Sequence, residues 1–238
     1  MTRLLQSHQR RGFALALPIF AAALLASPAS ADEAKPGPEK WESNIAAFET
    51  RDKKTQPEAN ALLFVGSSSI RMWDLETSWP DTATINNGFG GSTLADSIYH
   101  FERLFKPYDP SAIILYAGDN DISNGLTPEE VTADFKKLAA LIKGQFPETP
   151  VLFIAIKPSR SRAKLWPEMK ETNDAIAALC EEDPNLHYVD IARPMLKEAS
   201  PPPETWFKAD GLHLSEMGYK RWTAAVNRSL KKAKAAKE

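Results

Sequence analysis

Five short apolar runs, each followed by a longer amphipathic stretch, constrain this chain more than any other feature. They extend from Ala61 to Val65, Thr84 to Asn86, Ala112 to Tyr116, Val151 to Ile156 and Leu186 to Asp190. Most are apolar at nearly every position instead of alternating, which suits parallel strands covered on both faces. The intervening segments carry helical spacing. Leu94, Ile98, Phe101 and Phe105 form one stripe, and Val131, Phe135, Leu138 and Ile142 form another. Thr127, Pro128 and Glu130 give the second stripe a capping box with proline in the first turn. Residues 168–181 and 215–231 supply further helices, and Trp41, Ile45 and Phe48 suggest one from about Pro38 to Asp52. The expected architecture is an α/β three-layer sandwich with a central, mostly parallel five-stranded sheet.

The chain is 238 residues long, enough for one domain, and no internal repeat divides it. The domain is expected to span residues 41–238. Residues 1–31 read as a signal peptide. Arg3, Arg10 and Arg11 form a basic start, Phe13 to Ala26 is an apolar run broken by Pro18, and Ala29-Ser30-Ala31 offers a cleavage site. The paired arginines fit a Sec or a twin-arginine signal. Residues 32–40, with Pro36, Gly37 and Pro38, read as a flexible tether. The expected compartment is periplasmic or extracellular, without stable membrane insertion. A net charge of −2 gives no basic excess for nucleic acid. The single cysteine, Cys180, excludes an intrachain disulfide and reads as a helix-packing residue.

In parallel sheets ligands bind beyond the carboxyl ends of the strands, and four short blocks fall there. Gly66-Ser67-Ser68-Ser69 follows the first strand and either caps a helix or presents a nucleophile. It is not the G-x-S-x-G elbow, because Ile70 stands at the last position. Asn87-Gly88-Phe89-Gly90-Gly91-Ser92 follows the second strand, where a glycine N–H can serve an oxyanion or the block can be a plain turn. Ala117-Gly118-Asp119-Asn120-Asp121 follows the third. Here an asparagine amide can donate to an oxyanion, while Asp119, Asp121, Ser123 and Glu130 loosely mimic a calcium loop whose turn glycine, Gly125, is misplaced. Near the C-terminus, Asp210-Gly211-Leu212-His213-Leu214-Ser215 pairs a histidine with a carboxylate able to orient it. His8, His100 and His187 lack such company.

The order Ser, Gly, Asn, then Asp with His resembles the SGNH hydrolases, also called GDSL esterases, from Ala61 to about Leu230. The Gly-Ser-Ser-Ser-Ile-Arg-x-Trp opening and the Asp-Gly-Leu-His-Leu-Ser-x-x-Gly-Tyr close are similar to a bacterial branch of that family. The resemblance implies Ser68 as nucleophile, His213 as base and Asp210 as its orienting acid. It implies an oxyanion hole from Ser68, Gly91 and Asn120, with no cofactor and no metal. Ser67 stands where the family usually has aspartate.

The implied function is hydrolysis of a small-molecule or polysaccharide ester, with a short acyl group such as acetyl expected. A lysophospholipase or thioesterase, or a non-catalytic carbohydrate-binding protein on the same fold, are the alternatives. Trp73, Trp79, Trp166 and Trp206 are candidates for sugar stacking or for packing. Arg71, Arg160 and Arg162 either contact an acidic substrate or are solvated. Oligomeric state leaves no signal in the sequence.

Overall fold

The apolar runs become strands β1 (Leu62–Gly66), β2 (Thr84–Gly88), β3 (Ala112–Tyr116), β4 (Val151–Ile154) and β5 (Leu186–Val189) of a computed structural model that describes residues 37–236. Every pairing is parallel, and the order is β2-β1-β3-β4-β5. β1 and β2 run on into glycine, whereas β4 stops at Ile154, where its ladder with β5 ends at Val189. The expected signal peptide and most of the tether lie outside the described residues.

Ten helices flank the sheet among the described residues: α1 (Glu42–Lys54), α2 (Ser68–Arg71), α3 (Leu75–Ser78), α4 (Leu94–Tyr99), α5 (Phe101–Leu104), α6 (Asp119–Ser123), α7 (Pro128–Gln145), α8 (Trp166–Glu182), α9 (Ala192–Glu198) and α10 (Glu216–Ala235). Strand alternation sorts the core into two layers. Leu63, Val65, Ile113, Leu115 and Phe153 pack with Ile45, Leu94, Phe135 and Ile176 from α1, α4, α7 and α8. Leu62, Phe64, Ile114, Leu152 and Ile154 pack with Ile70, Leu75, Met195 and Trp222 from α2, α3, α9 and α10. Cys180 is buried in the first layer, and burial pushes its thiol up to about 12, as befits a packing residue.

Two expectations need correction. The stripe from Leu94 to Phe105 is not one helix but breaks at His100, which closes α4 and opens α5. The His100 imidazole Nε2 lies 3.0 Å from the Pro38 carbonyl, which can only accept, so this nitrogen is the donor. The same bond ties down Pro38–Trp41, a 3₁₀ turn where the tether was expected to continue to residue 40.

The chain leaves β1 for β2 on one side of the sheet and returns to β3 on the other. The crevice at the carboxyl ends of β1 and β3 is therefore the switch point at which such sheets bind ligands.

Candidate active site

β1 ends in Gly66, where the backbone turns with φ +144°. A Cβ here would lie 2.0 Å from the Tyr116 carbonyl of β3, so only glycine allows the strands to approach. α2 then begins at Ser68, whose N–H has no intrahelical acceptor at that position. Ser67 and Ser69 are buried, and only Ser68 reaches the surface. Ser67 donates its backbone N–H to the Tyr116 carbonyl, and its buried Oγ has no hydrogen-bond partner among the described residues.

The Asp210–His213 turn is held from several sides. Phe207 and Leu214 form an antiparallel bridge, and Lys208 donates its N–H to the His213 carbonyl at 2.7 Å. The Ser161 N–H donates to the Gly211 carbonyl, and Ser215 caps α10. This frame brings His213 Nε2 to 2.9 Å from Ser68 Oγ and His213 Nδ1 to 2.6 Å from Asp210 Oδ2. A carboxylate can only accept, so Nδ1 carries the proton and Nε2 is left to accept from the serine. Burial works to raise the Asp210 carboxyl. Hydrogen bonds from the His213 ring and from the Leu212 and His213 N–H groups outweigh it and bring the value to about 2.

Gly91, with φ +83°, lies exposed in the turn after β2, and a side chain there would meet the Trp41 ring at 3.4 Å. Asn120 sits in α6, where its Nδ2 donates to the Ser92 carbonyl at 3.0 Å. That bond joins the asparagine to the residue next to Gly91. Ser68, Gly91, Asn120, Asp210 and His213 therefore lie on β1–α2, β2–α4, β3–α6 and the turn before α10, whereas Trp79 sits toward the opposite ends of the strands and Trp166 opens α8.

The loosely calcium-like carboxylates are otherwise engaged. Asp121 accepts from the Leu94 and Gly118 N–H groups, and Glu130 closes the capping box on Thr127. Asp119 pairs with Lys157 at 2.9 Å and Arg162 at 3.3 Å. Burial raises the Asp119 carboxyl, but the two cations more than offset this and hold it below its ordinary value. Arg162 also donates to Asn120 Oδ1 at 3.0 Å and to the Asp119 carbonyl, so it is a structural partner and not a free substrate contact. Arg160 is likewise spent, on the Pro202 carbonyl and Glu204. Trp73, Trp79 and Trp206 are buried, the first packed edge-on to Phe64 and Trp79 tilted against both rings, which excludes them as sugar platforms.

Sequence reasoning missed Trp41, Lys157 and Tyr219 as neighbours of the site. Lys157 left one trace, a lysine placed directly after the unbroken apolar run to Ile156. It is buried and donates to Ser69 Oγ, Tyr116 OH and Asp119.

A profile of the GDSL-like Lipase/Acylhydrolase family matches residues 71–221, which hold Gly91, Asn120, Asp210 and His213, with Ser68 just before them. A GDSL esterase/lipase of Oryza sativa subsp. japonica is 32% identical over 173 residues, covering 61% of this chain and 64% of its own. The chain thus spans somewhat under two thirds of that relative. An arylesterase of Vibrio mimicus is 23% identical over 166 residues, covering 64% of this chain and 78% of its own. Among solved structures, a GDSL-like lipase of Bacteroides thetaiotaomicron superposes with a TM-score of 0.70 at 18% identity, covering 80% of this chain and 98% of that one. An acetylxylan esterase of Geobacillus stearothermophilus gives 0.60 at 15% identity, covering 73% and 95%. The two structures share the fold. With the profile match extending over more than half of the residues, the chain belongs to the GDSL-like lipase/acylhydrolase family.

Proposed function

We propose that this protein is an exported serine esterase that cleaves carboxylic esters of short acyl groups. The observation that carries the reading is the unbroken chain from Ser68 Oγ through the His213 ring to Asp210, with distances of 2.9 and 2.6 Å. His213 Nε2 takes the Ser68 proton as Oγ attacks the ester carbonyl. The N–H groups of Ser68 and Gly91 and the Asn120 amide receive the negative charge of the tetrahedral intermediate. Protonated His213 gives its proton to the leaving alcohol, and an acyl-serine remains. Water, deprotonated by the same imidazole, releases the acid and restores Ser68. The reaction so written draws on no cofactor.

The short-acyl preference rests on the openness of the site. Gly91 is exposed, and the Asp210 side chain is 47% exposed beside His213. Two clefts lie away from the site. One of 650 Å³ is lined by Leu62 and Ala112 at the opposite ends of the strands, and one of 510 Å³ lies between Trp166 and Tyr188. No helix among the described residues is long and apolar enough to cross a membrane. Export is inferred from residues 1–31, and the mature chain is expected to begin at Asp32.

A fluorophosphonate probe tests the reading. Peptide mapping should place the adduct on Ser68, labelling should vanish in Ser68→Ala and collapse in His213→Ala, and N-terminal sequencing of the exported protein should start at Asp32. An adduct on Ser67 or Ser69 overturns the nucleophile. A steady rise in kcat/KM from acetyl to palmitoyl esters overturns the short-acyl preference in favour of a lysophospholipase or thioesterase.

A further inference from the structure

Of the three arginines near the carboxyl edge of the sheet, Arg160 and Arg162 are bound to the protein. Arg71 is not. No hydrogen bond or ion pair within the described residues engages its guanidinium, and the residue is exposed. An unpaired surface arginine is ordinary, but this one is placed. It ends α2, three residues after Ser68, and that spacing puts the two side chains on one helix face with Cβ atoms about 5–6 Å apart.

The guanidinium then lies against the loop that carries Gly91. A Cβ built on Gly90 would fall 3.0 Å from Arg71 Nε and 3.2 Å from Nη2, so the cation rests where residue 90 has no side chain. Tyr219 also stands close to Arg71. Burial raises its hydroxyl, the Arg71 charge acts against that rise, and its OH donates to the Ser69 carbonyl at 2.9 Å. Nearby acids are committed elsewhere. Asp74 caps α3 through Thr77, and Asp210 holds His213. A planar cation with its donors unspent is thus set beside the nucleophile, with geometry suited to a carboxylate-type fork.

We propose that Arg71 forms a subsite for an anionic group on the substrate, so that the preferred ester carries a carboxylate or similar anion within a side chain's reach of the scissile bond. This rests on the serine-esterase reading and names its substrate class.

Two pairs of esters test it. Nitrophenyl hemisuccinate against nitrophenyl butyrate places the carboxylate on the acyl side. Carboxyphenyl acetate against phenyl acetate places it on the alcohol side. In at least one pair, the anionic-to-neutral ratio of kcat/KM should fall on the order of tenfold in Arg71→Gln, the scale of one exposed charge-assisted hydrogen bond. Arg71→Lys should keep part of the preference, and high salt should erode it in the unaltered protein. Arg193→Gln, a control at the Asp190 ion pair, should leave both ratios in place. If both ratios in Arg71→Gln equal those of the unaltered protein, the anion subsite is overturned while the esterase reading stands. If no ester turns over and the fluorophosphonate does not label Ser68, both fall together.

Discussion

The amide of Asn120 shows how one side chain is oriented by neighbours that the sequence does not place beside it. Arg162 can only donate and the Ser92 carbonyl can only accept, so Oδ1 must face the guanidinium and Nδ2 the carbonyl. The guanidinium also withdraws electron density from the amide and makes its N–H groups better donors to an oxyanion. Asn120→Ala should lower kcat by about 10²–10³ with little change in KM, the usual loss for one oxyanion donor. Arg162→Leu should lower kcat on the order of tenfold, the loss of a hydrogen bond to a charged group. Because Arg162 acts through Asn120, the double variant should be no slower than Asn120→Ala alone. Single-turnover rates of the four proteins check this, and independent, multiplying losses would place the action of Arg162 elsewhere.

At the scale of elements, Asp121 clips two loops together. Its Oδ1 accepts the Leu94 N–H at the start of α4, and its Oδ2 accepts the Gly118 N–H ahead of α6. The first loop carries Gly91, and the second leads into α6, which carries Asn120. Burial raises the Asp121 carboxyl from its ordinary value of 3.8 to about 7, against the pull of those two N–H groups. A carboxyl with a raised folded-state pKa holds its proton more tightly when folded. Its stabilising contribution is therefore full below pH 3.8 and is lost as pH rises through about 7. Urea unfolding from pH 4 to 8 should show stability falling across this window, and Asp121→Asn should lack that component of the slope. An identical slope in both proteins would mean that Asp121 titrates like an exposed carboxyl. Local caps behave differently, since the Thr127–Glu130 box of α7 was legible from four consecutive residues and forms as spaced. The break between α4 and α5 was not legible, because it depends on His100 meeting a carbonyl that lies 62 residues away in sequence.

Across the whole molecule, Lys157 ties the carboxyl edge together. From beyond β4 it reaches Ser69 in α2, Tyr116 in β3 and Asp119 in α6, satisfying all three ammonium protons in a fully buried place. Removing one partner of a buried pair leaves the other charge in low dielectric. Lys157→Met should therefore destabilise the fold by about 3–5 kcal/mol in chemical unfolding. Lys157→Met combined with Asp119→Leu should recover part of that loss, and no recovery would mean that packing around Lys157 sets the penalty. The parallel sheet covered on both faces and the positions of the four edge blocks were legible in the amino-acid sequence. Those follow from apolar periodicity and turn residues, which act over a few neighbours. The places of Ser68, Gly91, Asn120, Asp210 and His213 in the fold were readable because each closes or follows an element whose ends the pattern marks. The pairing of Ser68 with His213 across 145 residues, the spending of Arg162 on Asn120, the burial of Trp73 and the place of Arg71 against Gly90 depend on the folded neighbours. A charged or aromatic side chain has the same local propensity whether it is solvated, paired or packed, and only the folded neighbours choose among those states.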